Sequence, residues 1–321
     1  MRKSKKVFII YYGDDWGEKL PLKKSPATRL AFEDWYERGR KKGIYFYRAS
    51  IDWFDVSRFV FKKAWTYENK KWIKVLRPIR PDLIFDKIAG KHDYALFNLK
   101  QKINEEIKIF NPPLFRTLLD SKLSHYIAFK EFMPQSFLAH SKKELASAVR
   151  NIKSNRVVVK PLYGSGGFGI LIEKKNQLNH KLVKYPAFVQ EFVSAEGGVP
   201  GFTKNNSLAD LRLVFMNHKL TYALSRIAKR GSFFTNFHQG ARPVLVPKKF
   251  IPRSALRVAK KIIDKLKIFP EANYSIDFLF SGAGKPILME INTTPGFDLL
   301  HLVATEKIKE DNLKELTKVI P

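Results

Sequence analysis

The sequence predicts an α/β fold that turns partly α+β towards its C-terminal end. Three observations carry that expectation. Strand and helix signals alternate through the first third, as they do around a largely parallel sheet. Short apolar strands with turn residues between them dominate the remainder. Near residue 290, two apolar runs carry acids where a core strand should carry none.

Residues 6–12 read as a first strand. Ser25-Pro26 then opens a helix, with serine as cap and proline at the first helical position. The helix is expected to run to Lys42, where Gly43 ends it, and residues 44–47 and 82–85 supply the next strands. Residues 64–77 are basic and aromatic (Trp65, Tyr67, Trp72) and read as an exposed hairpin, packing its own aromatics in preference to offering them to a partner. Residues 93–109 read as a helix broken by Asn111-Pro112-Pro113. Further helices are expected at 120–132, stopped by Met133-Pro134, and at 141–151, where Ser141 and Glu144 have capping-box spacing. Residues 156–161 form a β-branched strand that ends in Lys160-Pro161. Helices at 252–266 and 305–319 complete the chain.

Composition narrows the function classes. The 321 residues carry 59 Lys and Arg against 30 Asp and Glu, a net charge of +29. That excess is spread along the chain, with +12 in residues 1–115, and no RNA-binding aromatic signature, zinc finger or basic-zipper pattern accompanies it. Such a field suits anionic substrates better than a dedicated nucleic-acid face. The absence of cysteine excludes disulfides, thiolate catalysis and Cys-bound zinc. No membrane-spanning run or signal sequence is evident, so a cytoplasmic location is expected.

The chemistry concentrates in two places. Residues 274–280 and 285–292 flank Ser281-Gly282-Ala283-Gly284, a hairpin turn. If Phe280 pairs with Lys285, Asp277 lies opposite Leu288, and Asp277, Glu290 and Asn292 emerge on one face. Hard oxygen donors of this kind suit Mg²⁺, which takes one or two carboxylates and completes its shell with phosphate oxygens. Upstream, Gly164, Gly166, Gly167 and Gly169, with Ser165 and Phe168 between them, follow the Lys160 strand. Glycines at this density let backbone N–H groups wrap an anion. No Lys-Ser or Lys-Thr follows them, and the flanks are strands, so neither a P-loop nor a dinucleotide fingerprint is present.

Together the ordered set Lys122, Lys160, Gly164 to Gly169, Gln190 to Val193, Asp210-Leu-Arg212, Arg226, Asn236, Asp277, Glu290 and Asn292 resembles the ATP-grasp superfamily. It is most similar to the glutathione-synthetase-like and RimK-type carboxylate–amine ligases, over about 120–300. The resemblance implies an ATP-grasp fold (116–190 with a glycine-rich lid, 191–321 with the metal site) preceded by a small α/β domain at 1–115. It implies that Lys122 and Lys160 contact the nucleotide phosphates and that Gly164, Ser165, Gly166, Gly167, Phe168 and Gly169 cover them. Gln190, Glu191, Phe192 and Val193 would form the hinge at the adenine. Asp210 would accept from the ribose, with Glu196 in a 194–209 insertion as the other candidate. Asp277, Glu290 and Asn292 would hold one or two Mg²⁺, or Mn²⁺ in its place. Arg212, Arg226 and Asn236 would face the transferring phosphoryl group.

The implied reaction is ATP-dependent amide formation through an acyl phosphate, between a carboxylate and an amine that are themselves anionic. Two other readings use the same residues: a small-molecule kinase, and a basic RNA- or ribosome-associated protein with a regulatory nucleotide site. A homodimer or homotetramer is common among the proteins it resembles. His238 stands open between an acceptor-orienting role and plain packing. His301, Arg230, Asp298 and the tryptophans at 16, 35 and 53 read as structural or solvated.

Overall fold

Three main sheets, with a separate two-stranded one beside the first, follow one another along the chain in a computed structural model that describes residues 4–88, 92–164, 166–195, 197–203 and 208–321. The first is built from β1 (Lys5–Tyr11), α1 (Pro26–Lys41), β2 (Ile44–Ser50), the short pair β3 (Phe54–Asp55) and β4 (Val60–Phe61), and then β5 (Ala64–Glu68) and β6 (Lys71–Val75). It continues through β7 (Leu83–Asp86), α2 (His92–Ala95), α3 (Phe97–Glu106), β8 (Ile109–Phe110) and α4 (Pro113–Leu119). The main sheet has the order β6-β5-β2-β1-β7-β8, and β1 lies parallel to both β2 and β7. A central parallel strand is buried on both faces. Val7 and Ile9 accordingly point to the core beneath α1, while Phe8 and Ile10 join Trp53 and Trp65 on the other side. Gly39 lets α1 approach closely, since a Cβ there would lie 2.4 Å from the Phe46 ring.

Two expectations change here. The aromatics of the 64–77 hairpin are not confined to it: Trp65 and Tyr67 are buried in the shared cores. The residues after Asn111 start a helix instead of merely ending one, because Pro113 occupies a first-turn position where its missing N–H costs nothing.

The second sheet comprises α5 (Lys122–Phe129), β9 (Ser136–Ala139), α6 (Lys142–Asn151), β10 (Arg156–Pro161), β11 (Leu171–Lys174) and β12 (Ala187–Glu191), with antiparallel order β11-β10-β12-β9. Ser141 caps α6 by accepting from the Glu144 N–H.

The third contains β13 (Ala209–Met216), β14 (Lys219–Ile227), β15 (Arg242–Leu245), α7 (Arg253–Leu266), β16 (Asn273–Phe280) and β17 (Pro286–Asn292), followed by α8 (Phe297–Val303) and α9 (Glu306–Thr317). Its order is β15-β14-β13-β16-β17, all antiparallel. Leu211, Leu213, Phe215, Ile276 and Phe278 face α7 and form one core. The opposite face changes character along its strands. At one end Val214, Met216, Tyr222 and Leu224 join the core of α1, β1 and β7, together with Phe297, Leu313 and Leu316. At the other end the same face carries Asp210, Arg212, Arg226 and Asp277.

The hairpin register differs from the expected one. Phe280 pairs with Pro286, Phe278 with Leu288, and a β-bulge at Met289 then sets Asp277 opposite Glu290. Without the bulge, that register would turn Glu290 to the core face, because a one-residue slip inverts every side chain. The inserted residue restores the single face for Asp277, Glu290 and Asn292. Of the 194–209 insertion, Glu196 and residues 204–207 lie outside the described residues. Among the described residues no helix is long and apolar enough to cross a membrane.

Candidate active site

Lys160 leaves the end of β10 with its side chain buried and donates to Gln190 Oε1 at 2.7 Å, while Gln190 Nε2 donates to Ser136 Oγ at 3.0 Å. Burial pushes the Lys160 ammonium down to about 8; the charge of Glu290 opposes that shift and Lys122 adds to it. Gln190 is therefore spent on the lysine and does not reach towards a base. Lys122, in the first turn of α5, donates to the Gly164 carbonyl at 2.7 Å and sits 3.4 Å from Glu290 Oε1.

The glycine loop is folded down over the third sheet. Gly164, Gly166, Gly167 and Gly169 all take positive φ, and a Cβ on Gly167 would lie 2.7 Å from Asn236 Oδ1. Close approach to Asn236 thus requires glycine at 167. Phe168 is 66% exposed and stacks on His238, with ring centroids 6.3 Å apart. At the root of the loop, Tyr163 meets Tyr94 of α2 edge-on. Ser165 lies outside the described residues.

Between the second and third sheets is a cavity of about 110 Å³, walled by Val158, Ile172, Phe192, Leu279 and Met289 and polar at one end, where Lys160, Asn236 and Glu290 reach it. Phe192 and Val193 line it. Glu191, half-buried, pairs its backbone with Val157. A groove of about 510 Å³ adjoins through Phe192 and Phe233 and is lined by Lys229 and the exposed Arg230.

The polar end carries a buried ion network, of which Asp210, Arg226 and Asp277 line the cavity itself. Arg212 grips Asp277 with Nε at 2.8 Å and Nη2 at 2.6 Å, and Arg226 Nη2 donates to Asp277 Oδ2 at 2.8 Å. Arg226 also binds both oxygens of Asp210, and Thr235 Oγ1 adds a hydrogen bond of 2.9 Å to Asp210 Oδ2. Asp210, expected at a ribose, already has both of its carboxylate oxygens hydrogen-bonded inside the protein. Burial works to raise the Asp277 carboxyl, and the two guanidiniums outweigh it, holding the group below its ordinary value. Burial likewise raises Glu290, and Lys122, His125 and Lys160 together more than offset it, so that its carboxyl also titrates low.

Both arginines, Asn236, His238, Asn292 and Thr294 line a second small cavity of about 190 Å³. Thr28 from the first turn of α1 closes it, and so does Asp298, which is buried in α8 and not in a free turn. His301 is half-buried, 3.6 Å from Asp34, and Trp35 and Trp53 are core residues.

Asp277, Glu290 and Asn292 differ in what their oxygens already carry. Asp277 is committed to guanidiniums, whereas Glu290 sits 3.4 Å from the Lys122 ammonium and also feels the charge of Lys160, and Asn292 Oδ1 accepts from the Thr294 N–H at 2.9 Å. Among the described residues no three acidic or imidazole side chains enclose an ion by themselves. The donor set fits a hard cation that takes Glu290 and Asn292 and fills its shell with phosphate oxygens, with Asp277 available only in competition with Arg212 and Arg226.

Several supporting residues escape sequence reasoning. Asn111 Nδ2 donates to the Thr293 carbonyl at 2.9 Å, the Arg116 guanidinium donates to Thr293 Oγ1, and Lys87 Nζ donates to the Pro295 carbonyl at 2.6 Å. They hold the segment just after Asn292. The one signal was Asn111 before two prolines, and it sits at φ +64, a conformation asparagine tolerates. Ser136 gave no signal of its own, because its partner Gln190 is distant in sequence.

Residues 122–315 match the model of the RimK-like ATP-grasp domain. Among curated proteins, the chain is 23% identical over 192 residues to a probable alpha-L-glutamate ligase of Marinomonas sp. (strain MWYL1), covering 58% of each. It is 28% identical over 173 residues to one of Stutzerimonas stutzeri (strain A1501), covering 51% of each. The match thus spans just over half the length of these relatives. Among solved structures, the VanG D-Ala:D-Ser ligase from Enterococcus faecalis superposes with a TM-score of 0.67 at 13% identity, over 99% of this chain and 100% of that one. A RiPP-associated ATP-grasp ligase of Chryseobacterium gregarium gives 0.60 at 16% identity, over 99% and 98%.

Proposed function

This chain belongs to the RimK-like ATP-grasp family, and on that premise we propose that it is an ATP-dependent carboxylate–amine ligase. The observation that carries the reading is the convergence of Lys122, Lys160, the glycine loop, Arg226, Asn236 and Glu290 on one pair of adjoining cavities. In this reading the apolar cavity takes the base, with Phe192 and Val193 as its hinge. Lys160 and Lys122 hold the phosphates. Magnesium, when bound through Glu290 and Asn292, supplies charge neutralisation at the phosphate oxygens.

The carboxylate oxygen of the acid substrate attacks the γ-phosphorus and the bond to ADP breaks, giving an acyl phosphate. Arg212, Arg226 and Asn236 face the equatorial oxygens across the small cavity, where preorganised donors count most. The amine then attacks the acyl carbon, phosphate leaves, and the amine loses a proton. Asp210 is assigned here to positioning Arg226, in place of a ribose contact. The names of the relatives make glutamate the first amine and first acid to test. The division at 115/116 and 190/191 is kept as a proposal for the substrate-side and nucleotide-side units.

The test is thermal unfolding with and without Mg²⁺-ATP, on wild type and Glu290→Ala, followed by ADP release with acids and amines in pairs. At a hundred times its dissociation constant a ligand stabilises by about 2.7 kcal/mol. Wild type should gain that only with the metal, and Glu290→Ala should lose most of it. ADP release that requires both acid and amine supports the ligase. Release with the acid alone, leaving a stable phosphorylated product, would point to a kinase, and no response to ATP would sink both.

A further inference from the structure

We propose that the outer edge of β6 is a docking groove for an extended acidic peptide, which adds to the first sheet as a seventh strand. Among the described residues no strand pairs with the outer side of β6. The β5–β6 hairpin turns through Asn69 and Lys70, both at positive φ, and pairs Glu68 with Lys71. In such a two-residue hairpin the flanking pair shares ladder hydrogen bonds and the next pair does not. Trp72 and Lys74 therefore turn their backbone N–H and C=O groups away from β5.

Three further observations make this edge a site and not just an end. A groove of about 690 Å³ runs along it, lined by Lys19, Lys71, Lys74 and one acid, Glu68, beside Trp65, Trp72 and Ile73. Ile73 is 38% and Leu76 76% exposed, so apolar side chains stand beside the free amides. Residues 58–80 hold eight Lys and Arg against the single acid Glu68.

Lysines on an edge strand discourage a second copy of the same strand from pairing. The same charges favour an acidic strand, so the partner is selected by sign. Main-chain pairing with alternate side-chain contacts is the mode by which peptides join sheet edges. A nucleic acid would use the lysines and leave the amides idle. Direction also fits: β5 is antiparallel to β2 and β6 antiparallel to β5, so β6 runs with β1 and ends where α1 begins. Thr28 of that helix lines the small cavity, so a docked strand leads towards it.

The inference does not depend on the ligase reading, because its test reads binding without ATP. A labelled peptide alternating glutamate and valine is titrated into the full chain. Its lysine–valine counterpart and a single-stranded oligonucleotide serve as competitors, and hydrogen exchange is followed at Trp72 and Lys74. The acidic peptide should bind and slow exchange at both amides. Lys74→Ala keeps the N–H and loses the side chain, whose ammonium lies over the Trp16 and Trp65 rings, whereas Lys74→Pro, tolerable at an outward edge position, should bind about tenfold more weakly still. Equal losses in the two variants, equal binding of the basic peptide, displacement by the oligonucleotide, or unprotected amides would each overturn the proposal. If Lys74→Pro fails to fold, the exchange data on wild type decide.

Discussion

At the scale of single residues the site is governed by charges taken out of water. Four cations (Lys122, Lys160, Arg212 and Arg226) face three carboxylates (Asp210, Asp277 and Glu290), and most are buried. Breaking one member of such a network costs far more than the network contributes, so each side chain is fixed before substrate arrives. Lys160 is the member with a titration in reach. Its ammonium sits at about 8 against an ordinary 10.5, so the folded protein releases this proton before the unfolded chain does. Stability contributed by this group therefore rises with pH between the two values, while phosphate binding, which needs the charge, weakens above about 8. Affinity for ATP measured from pH 7 to 9 should fall through that point in wild type. It should stay flat in Lys160→Arg, which keeps its charge throughout. A flat wild-type profile would remove Lys160 from the phosphates. The same residue scale limits what sequence can say: Asp210, Arg212 and Asp277 were all singled out, but their mutual pairing was not legible. It depends on which of several nearby cations reaches each carboxylate first.

At the scale of elements, legibility followed locality. The first helix, its proline, its glycine stop, the Ser141 cap and the β10 strand are written within a few residues each, and they stand where expected. The bulge at Met289 is not local. The expected Phe280–Lys285 register gave the right face for Glu290 through the wrong pairing, and one inserted residue makes the actual pairing give the same face. Helix α8 was missed because Pro295-Gly296 reads as a turn, and its buried side comes from packing against α1. The glycine loop is the element whose behaviour can be tested most directly. Gly167→Ala places a Cβ 2.7 Å from Asn236 Oδ1 at φ +82. The loop should lift, leaving unliganded stability within about 1 kcal/mol of wild type while most of the ATP-dependent gain in midpoint is lost. An unaltered ATP response in that variant would mean the loop does not cover the nucleotide.

At the scale of the whole molecule the decisive feature is the core that α1, β1 and β7 share with β13, β14, α8 and α9. Arg38 of α1 ties the same surfaces together through Glu306 and Glu310 of α9. One face of the first sheet has a core of its own, around Phe8, Trp53 and Trp65, but the face beneath α1 is completed only by the C-terminal elements. Calorimetry should record one transition with equal calorimetric and van't Hoff enthalpies, and residues 1–115 expressed alone should show no cooperative melting. Two resolved transitions would contradict the shared core. For anyone recombining such enzymes, the exchangeable module is consequently discontinuous. A chimera that imports a foreign substrate-side half must bring the C-terminal helices 297–317 with it, because the seam follows the packing and not the order of the chain.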